Sequence, residues 1–326
     1  MALSGLSGRT VTRQQLVFVI LCCITVLVFL SFNWSSAVEP EDGMQELRKS
    51  LFRDFCDRKK ASISEGKRSI DQMSNEDLKH LLVDDNHGII YCYIPKVAGT
   101  SWKRVMWVLN QSLPYADPSS IPGHLLHVPN KLMQLTSGPR DLMKVKLKHY
   151  TKFLFVRDPL MRLISVYWEK FQRPNSYFYQ NFGKKILRLH GKWLNPPETL
   201  EDAVNFGVRP SFHNFIQYLL DPTTEMNEPF QPLWRQMHRL CHPCHIPYDF
   251  VGHQETLQED AAQLLRILKL ENDIKFPLPH ANVSSPLSVM EWYSTVPVEE
   301  RKSLYNLYAN DFRLFGYTVP DAFFEE

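Results

Sequence analysis

The chain lacks several patterns that would each have named a function class. No Gly-x-x-x-x-Gly-Lys-Ser/Thr occurs, so a nucleoside-triphosphatase P-loop is excluded on residue order. No Asp-x-Asp triplet is present to hold a nucleotide-sugar through a divalent ion, which argues against a metal-dependent glycosyltransferase. Helix-turn-helix, zinc-finger and RNA-recognition signatures are missing, and with them the case for a nucleic-acid partner. Acidic residues are scarce in one block. From Asn86 to Arg188 the chain carries 16 Lys/Arg against 4 Asp/Glu, and elsewhere 21 against 31. The net charge of +2 hides this asymmetry, which favours a polyanionic ligand near the basic block.

Lysine and arginine are themselves missing between Arg13 and Arg48. Inside that gap, Leu16 to Phe32 is an uncharged apolar run at the short end of a membrane-spanning helix. Arg9 and Arg13 precede it, which predicts a cytoplasmic tail (1–15), a signal-anchor (16–32) and a lumenal remainder. A cleaved signal peptide is the alternative, with Ser35-Ser36-Ala37 as a cleavage site, but the apolar run exceeds a usual signal core. Sequons at Asn33, Asn110 and Asn282 fit a lumenal chain. Residues 33–85 are charge-rich and read as a stem, with Leu47, Leu51 and Phe55 at every fourth position of an amphipathic helix. Packing on a catalytic domain and contact within a homodimer explain that stripe equally well.

Six cysteines occur. Cys22 and Cys23 fall in the anchor; Cys56, Cys92, Cys241 and Cys244 would meet an oxidising lumen that permits disulfides, their pairing open. Cys92, between Tyr91 and Tyr93, also reads as a buried thiol. His238, Cys241, His242, Cys244 and His245 look like metal ligands, yet a second pair at zinc-finger spacing is absent, so a turn or disulfide is preferred and no metal is expected.

From Asn86 to the C-terminus (86–326), apolar runs alternate with helical patterns, the signature of an α/β domain with a mainly parallel sheet flanked by helices. Thr256 and Glu259 suggest a capping box ahead of a helix through Leu264, Leu265 and Leu268, and Val298 to Phe312 reads as a last helix.

Two segments carry chemistry. In the first, Ile89 to Ile94 is a strand pattern ending in Pro95-Lys96; Val97, Ala98, Gly99, Thr100 and Ser101 follow, then helical spacing at Trp102, Val105, Met106 and Leu109. Strand, small-residue loop and helix in that order make an anion cradle of main-chain N–H groups, to which Lys96 adds a full charge and Thr100 and Ser101 add hydroxyls. In the second, Phe153 to Val156 runs into Arg157-Asp158-Pro159-Leu160-Met161-Arg162-Leu163-Ile164-Ser165. Asp158 suits the N-cap and Pro159 the first helical position. Arg157 and Ser165 can close on a single anion, the guanidinium giving planar multi-donor contacts.

These two segments resemble the 5′-phosphosulfate and 3′-phosphate sites of sulfotransferases. Further segments, Tyr218 to Glu225, Trp234 to Cys244, Tyr248 to Gly252 and Glu255-Thr256-Leu257, are similar to the Golgi carbohydrate sulfotransferases, in particular the subgroup with the chondroitin and dermatan 4-O-sulfotransferases. The likeness covers about Asn86 to Gly316. It departs at Gly99-Thr100-Ser101, where relatives carry Cys-Thr/Ser-Asn, and at Leu160-Met161, where they carry Phe and a polar residue. The resemblance implies a P-loop-like sulfotransferase fold, 3′-phosphoadenosine 5′-phosphosulfate (PAPS) as co-substrate, and a glycosaminoglycan or other glycan acceptor. It also implies a Golgi-membrane, type II location. The acceptor it suggests is the 4-OH of N-acetylgalactosamine in chondroitin or dermatan; glycoprotein glycans and an inactive polyanion-binding relative are the alternatives.

By analogy with phosphoryl transfer, positioning and charge stabilisation would dominate, with Lys96 acting on the leaving phosphate oxygen. A base must take the acceptor proton, and histidine suits neutral pH. His127 is the first choice: it lies between the two motifs, in a setting similar to an Ala-His-Val segment of the chondroitin enzymes. Glu169 and His124 stand in reserve.

Overall fold

The computed structural model describes residues 40–63, 69–128, 131–226, 228–277 and 287–325. The expected tail, anchor and the sequons at Asn33 and Asn282 lie outside them. Among the described residues no helix is long and apolar enough to cross a membrane. The chain divides into two units between Leu47 and Arg48, inside the first described helix, α1 (Pro40–Ile63). The unit that starts at Arg48 holds the whole sheet and both motif segments.

Four short apolar runs form the sheet: β1 (Leu81–Asp84), β2 (Ile89–Cys92), β3 (Thr151–Val156) and β4 (Phe250–His253), in that spatial order. β2, β3 and β4 are parallel, as the alternation of runs and helices predicts, while β1 pairs antiparallel with β2 at the edge. β1, β2 and most of β3 and β4 are buried residue after residue, the pattern of strands covered on both faces. Between β2 and β3 lie α2 (Gly99–Leu109) and α3 (Arg140–His149). Between β3 and β4 lie α4 (Pro159–Tyr167), α5 (Phe212–Leu220) and α6 (Met237–Cys241). After β4 come α7 (Leu257–Ile267) and α8 (Val298–Phe315), the latter three residues longer than the sequence pattern suggests and ended by Gly316 at φ +72°.

Aromatic packing fixes α2 on the sheet. Trp102 is fully buried, its ring 4.8 Å from Phe153 and 5.1 Å from Phe155, and Phe153 stacks on Tyr91 at 4.8 Å. The Phe155 ring comes so close to β4 that a Cβ on Gly252 would lie 2.2 Å from it, so no larger residue fits there. A second apolar cluster joins α4, α5 and α8 around Trp234, Phe215 and Tyr308.

The expected boundary at Asn86 is too late. β1 belongs to the sheet, and in α1 Phe52 and Phe55 are buried in the main core. Arg48 donates to both oxygens of Asp260 at 2.9 Å and to the Val251 carbonyl at 2.8 Å. Of the stripe read from the sequence, Phe55 is buried and Leu51 half-buried, whereas Leu47 is exposed, so the charged surroundings hid a helix whose later turns belong to the domain.

Cys56 is bonded to Cys244 and Cys92 to Cys241. The reading of Cys92 as a free buried thiol therefore gives way to a cross-link between β2 and α6. His238 pairs with Asp311 at 2.6 Å and His242 with the Asp77 carbonyl at 3.0 Å, so the apparent ligand cluster is committed to structure. Among the described residues no group of His, Cys, Asp and Glu could hold a metal ion. The Thr256 capping box also does not form. Its hydroxyl donates to Asp260 at 2.6 Å, completing the carboxylate already held by Arg48.

Candidate functional site

The carboxyl ends of parallel β2, β3 and β4 open on one side of the sheet, where α/β folds bind ligands. Beyond β2 the chain passes through Ile94 and Pro95 into a tight loop. Lys96 at φ +70° and Ala98 at φ +45° both adopt left-handed backbone without being glycine. Each such residue costs on the order of 1–3 kcal/mol and persists only where surroundings enforce it, commonly at functional sites. Gly99, by contrast, is not at positive φ, and a Cβ there would meet only the Ile94 carbonyl at an ordinary 3.6 Å. The strain sits beside the glycine, not on it.

Ala98 caps α2 with no side chain taking the helix's first amides. The N–H groups of Gly99, Thr100 and Ser101 have no intrahelical acceptor, and the first helical bond joins the Trp102 amide to the Ala98 carbonyl at 3.1 Å. Free amides, the positive helix end and Lys96 make an oxyanion cradle. Thr100 is exposed on it, whereas Ser101 and Val97 are buried.

The second motif holds this loop in shape. Arg157, at the end of β3, donates Nη1 to the Lys96 carbonyl at 3.3 Å. Arg162, from α4, donates Nε to the Pro95 carbonyl at 3.1 Å, Nη1 to the Arg235 carbonyl at 2.8 Å and Nη2 to the Pro232 carbonyl at 2.8 Å. Arg162 is 1% exposed, and burial lowers its pKa to about 10. All three of its nitrogens donate to main-chain carbonyls, so Arg162, expected among the cofactor-binding residues, braces the loop. The Asp158 carboxylate accepts from the Met161 amide at 2.9 Å, the N-cap its sequence implies, and burial raises its pKa to about 6. Leu160, Leu163 and Ile164 face the apolar core together with Pro159, while Met161 and Ser165 are half-buried.

Burial depresses the Lys96 pKa, and its ammonium is ion-paired with Glu169. Glu169 also takes Lys170 at 2.7 Å. Burial alone would raise the Glu169 pKa, but the hydrogen bonds from Lys170 and Lys96, with their charges, hold it down at about 2. A carboxylate so held is a poor proton acceptor at neutral pH, which counts against Glu169 as base. The helix geometry explains its reach: α4 continues as a π-helical turn, Trp168–Gln172, that adds a residue to the coil. Spacing alone could not reveal that turn.

His124 and His127 belong to the short helical turn Gly123–His127, which follows Ile121, whose carbonyl accepts from Arg104 of α2 at 2.9 Å. His124 is exposed; the side chain of His127 lies outside the described residues. Sequence reasoning missed Lys103. It is buried against the Tyr93 ring, 3.8 Å from its centroid, and burial lowers its pKa to about 8. Its place one turn into α2 was a signal that apolar periodicity overlooked.

Residues 79–318 match the Sulfotransferase family model. The chain is 49% identical to carbohydrate sulfotransferase 12 of Mus musculus over 294 residues, which cover 86% of this chain and 70% of that protein. It is 46% identical to carbohydrate sulfotransferase 12 of Xenopus laevis over 311 residues, 89% of this chain and 74% of the relative. With carbohydrate sulfotransferase 11 of Rattus norvegicus the identity is 39% over 281 residues, 85% of this chain and 77% of the relative. No solved structure matches.

Proposed function

The chain belongs to the sulfotransferase family and is a carbohydrate sulfotransferase that uses PAPS; on that premise we propose that it sulfates the 4-OH of N-acetylgalactosamine in chondroitin or dermatan. The observation that carries the site assignment is the bond from Arg157 to the Lys96 carbonyl, which joins motifs 61 residues apart into one anion-binding surface. The cradle at Lys96 to Ser101 fits a 5′-phosphosulfate, and Arg157 with Ser165 fits a 3′-phosphate. The 4-O acceptor is supported by similarity to carbohydrate sulfotransferases 11 and 12 and by the segments shared with the chondroitin and dermatan enzymes.

In the reaction the acceptor oxygen attacks sulfur, the bond from sulfur to the phosphate oxygen breaks, and 3′-phosphoadenosine 5′-phosphate leaves. Lys96 stabilises charge on the leaving oxygen, exchanging its Glu169 partner for the phosphate; Lys170 stays on Glu169 and limits the cost of that exchange. His127 takes the acceptor proton. We further assign residues 16–32 as a membrane anchor, with the catalytic domain in the Golgi lumen. Transfer of labelled sulfate from PAPS to chondroitin and dermatan, followed by disaccharide analysis, tests this reading. A 4-sulfated N-acetylgalactosamine product supports it; exclusive 6-sulfation or no transfer refutes the acceptor.

A further inference from the structure

A cavity of about 290 Å³ opens beside the π-helical turn Trp168–Gln172. Its floor is apolar, with Phe171, Tyr179 and Val208 buried, and Lys170, Arg173 and Arg209 stand on its wall. We propose that this cavity is an acceptor subsite in which Arg173 and Arg209 bind the carboxylate of the uronate next to the reacting sugar. The assignment rests on the chondroitin-type acceptor proposed above.

Charge supports it first. No Asp or Glu lines the cavity, and neither Arg173 nor Arg209 has a carboxylate partner among the described residues. Other cations differ: Lys96 and Lys170 share Glu169, and Lys184 pairs with Glu198. Two unpaired guanidinium forks at the rim of one small cavity suit a planar carboxylate, which they can take through paired N–H donors. The floor supports it next. The apolar face of a pyranose ring needs an apolar or aromatic surface, and Phe171, Tyr179 and Val208 supply one; Trp168, outside the lining, lies 5.8 Å from the Arg173 guanidinium. The volume lies near the lower end of the roughly 300–1,000 Å³ typical of small-ligand sites, enough for a sugar ring and not for a nucleotide.

The cavity is also continuous with the chemistry. Glu169 holds Lys96 on one oxygen and Lys170 on the other, and Lys170 is itself part of the cavity wall. The cavity therefore begins one carboxylate away from the lysine assigned to the leaving group. A polymer with one sugar at Lys96 would lay its neighbour here. The extra residue of the π turn makes this possible, since Glu169 turns to the loop while Phe171 and Arg173 follow around the cavity.

The test uses the full chain with Arg173→Ala, Arg209→Ala and Arg173→Lys, each checked for an unchanged melting temperature. KM is measured for chondroitin and for carboxyl-reduced chondroitin, and 3′-phosphoadenosine 5′-phosphate affinity by calorimetry. Loss of a hydrogen bond to a charged group predicts a rise in chondroitin KM of roughly ten- to a hundredfold per alanine variant. KM for the carboxyl-reduced polymer, kcat and nucleotide affinity should stay put, and Arg173→Lys should recover part of the loss. An equal rise for both polymers, no rise for either, or a fall in nucleotide affinity overturns the subsite. A wild-type enzyme active on another glycan but inert on chondroitin overturns the proposed acceptor, and the subsite with it.

Discussion

Replacing Arg162 by alanine should damage the fold before it damages the chemistry. The guanidinium is buried and donates to the carbonyls of Pro95, Pro232 and Arg235. Hydrogen bonds to a charged donor contribute roughly 1.5–3 kcal/mol each. Three would sum to more than is lost in practice, because freed carbonyls relax and water enters the gap. Breaking a buried charged network from one side costs about 3–5 kcal/mol, which we take as the expected loss. At about 2–4 °C per kcal/mol for a domain of this class, the melting temperature should fall by roughly 6–20 °C. Arg162→Lys keeps the charge but cannot span three carbonyls, so it should fall between the two. Calorimetric melting of the wild type and both variants, without nucleotide, is the assay. If Arg162→Ala melts with the wild type and only nucleotide binding weakens, Arg162 is a ligand group after all and the brace is wrong.

Four more outcomes follow from the geometry. Lys96→Ala should keep its melting temperature, since the side chain holds only Glu169 across a half-exposed pair, while kcat falls on the order of a hundred- to a thousandfold; near-normal turnover would remove Lys96 from the mechanism. His127→Ala should lower kcat by about a hundredfold or more and erase an acidic limb near the histidine range, whereas Glu169→Gln, lacking a group that titrates above about 2, should leave that limb in place; the reverse pattern would move the base role. His80 is buried and donates from Nδ1 to the Tyr93 carbonyl at 3.0 Å, and burial lowers its pKa to about 3. It stays neutral in the fold but charges in the unfolded chain, so its contribution is present above about pH 6.5 and lost as pH falls toward 3; His80→Asn should flatten melting temperature against pH in that window, and an unchanged slope would refute this. Replacing Cys56 by serine opens a cross-link spanning 188 residues and should cost about 2–5 kcal/mol, read as a lower denaturation midpoint; no shift would mean the helix is held without the bond.

Much of the site was legible because it sits at strand-to-helix junctions. Apolar runs ending in Pro95-Lys96 and in Arg157-Asp158-Pro159 mark where main-chain amides and charges must emerge, and the observed cap at Asp158 follows from residue type alone. Residue spacing put Arg162 in the second motif but could not show that its guanidinium is spent on the carbonyls of Pro95, Pro232 and Arg235. The same gap hid β1, whose four residues are too few to outweigh the charged sequence before them. The π turn at Trp168–Gln172 leaves no composition signal, so the approach of Glu169 to Lys96 required coordinates.

Arg157 and Arg162 grip the carbonyls of adjacent residues, Lys96 and Pro95, and so weld the loop that would carry the sulfuryl donor to the element that would read the nucleotide's far end. Two ends of one ligand then report to a single joint. A 3′-phosphate that drew Arg157 away from the Lys96 carbonyl would change the posture of the lysine itself, so contact at one end of the nucleotide would be felt at the other.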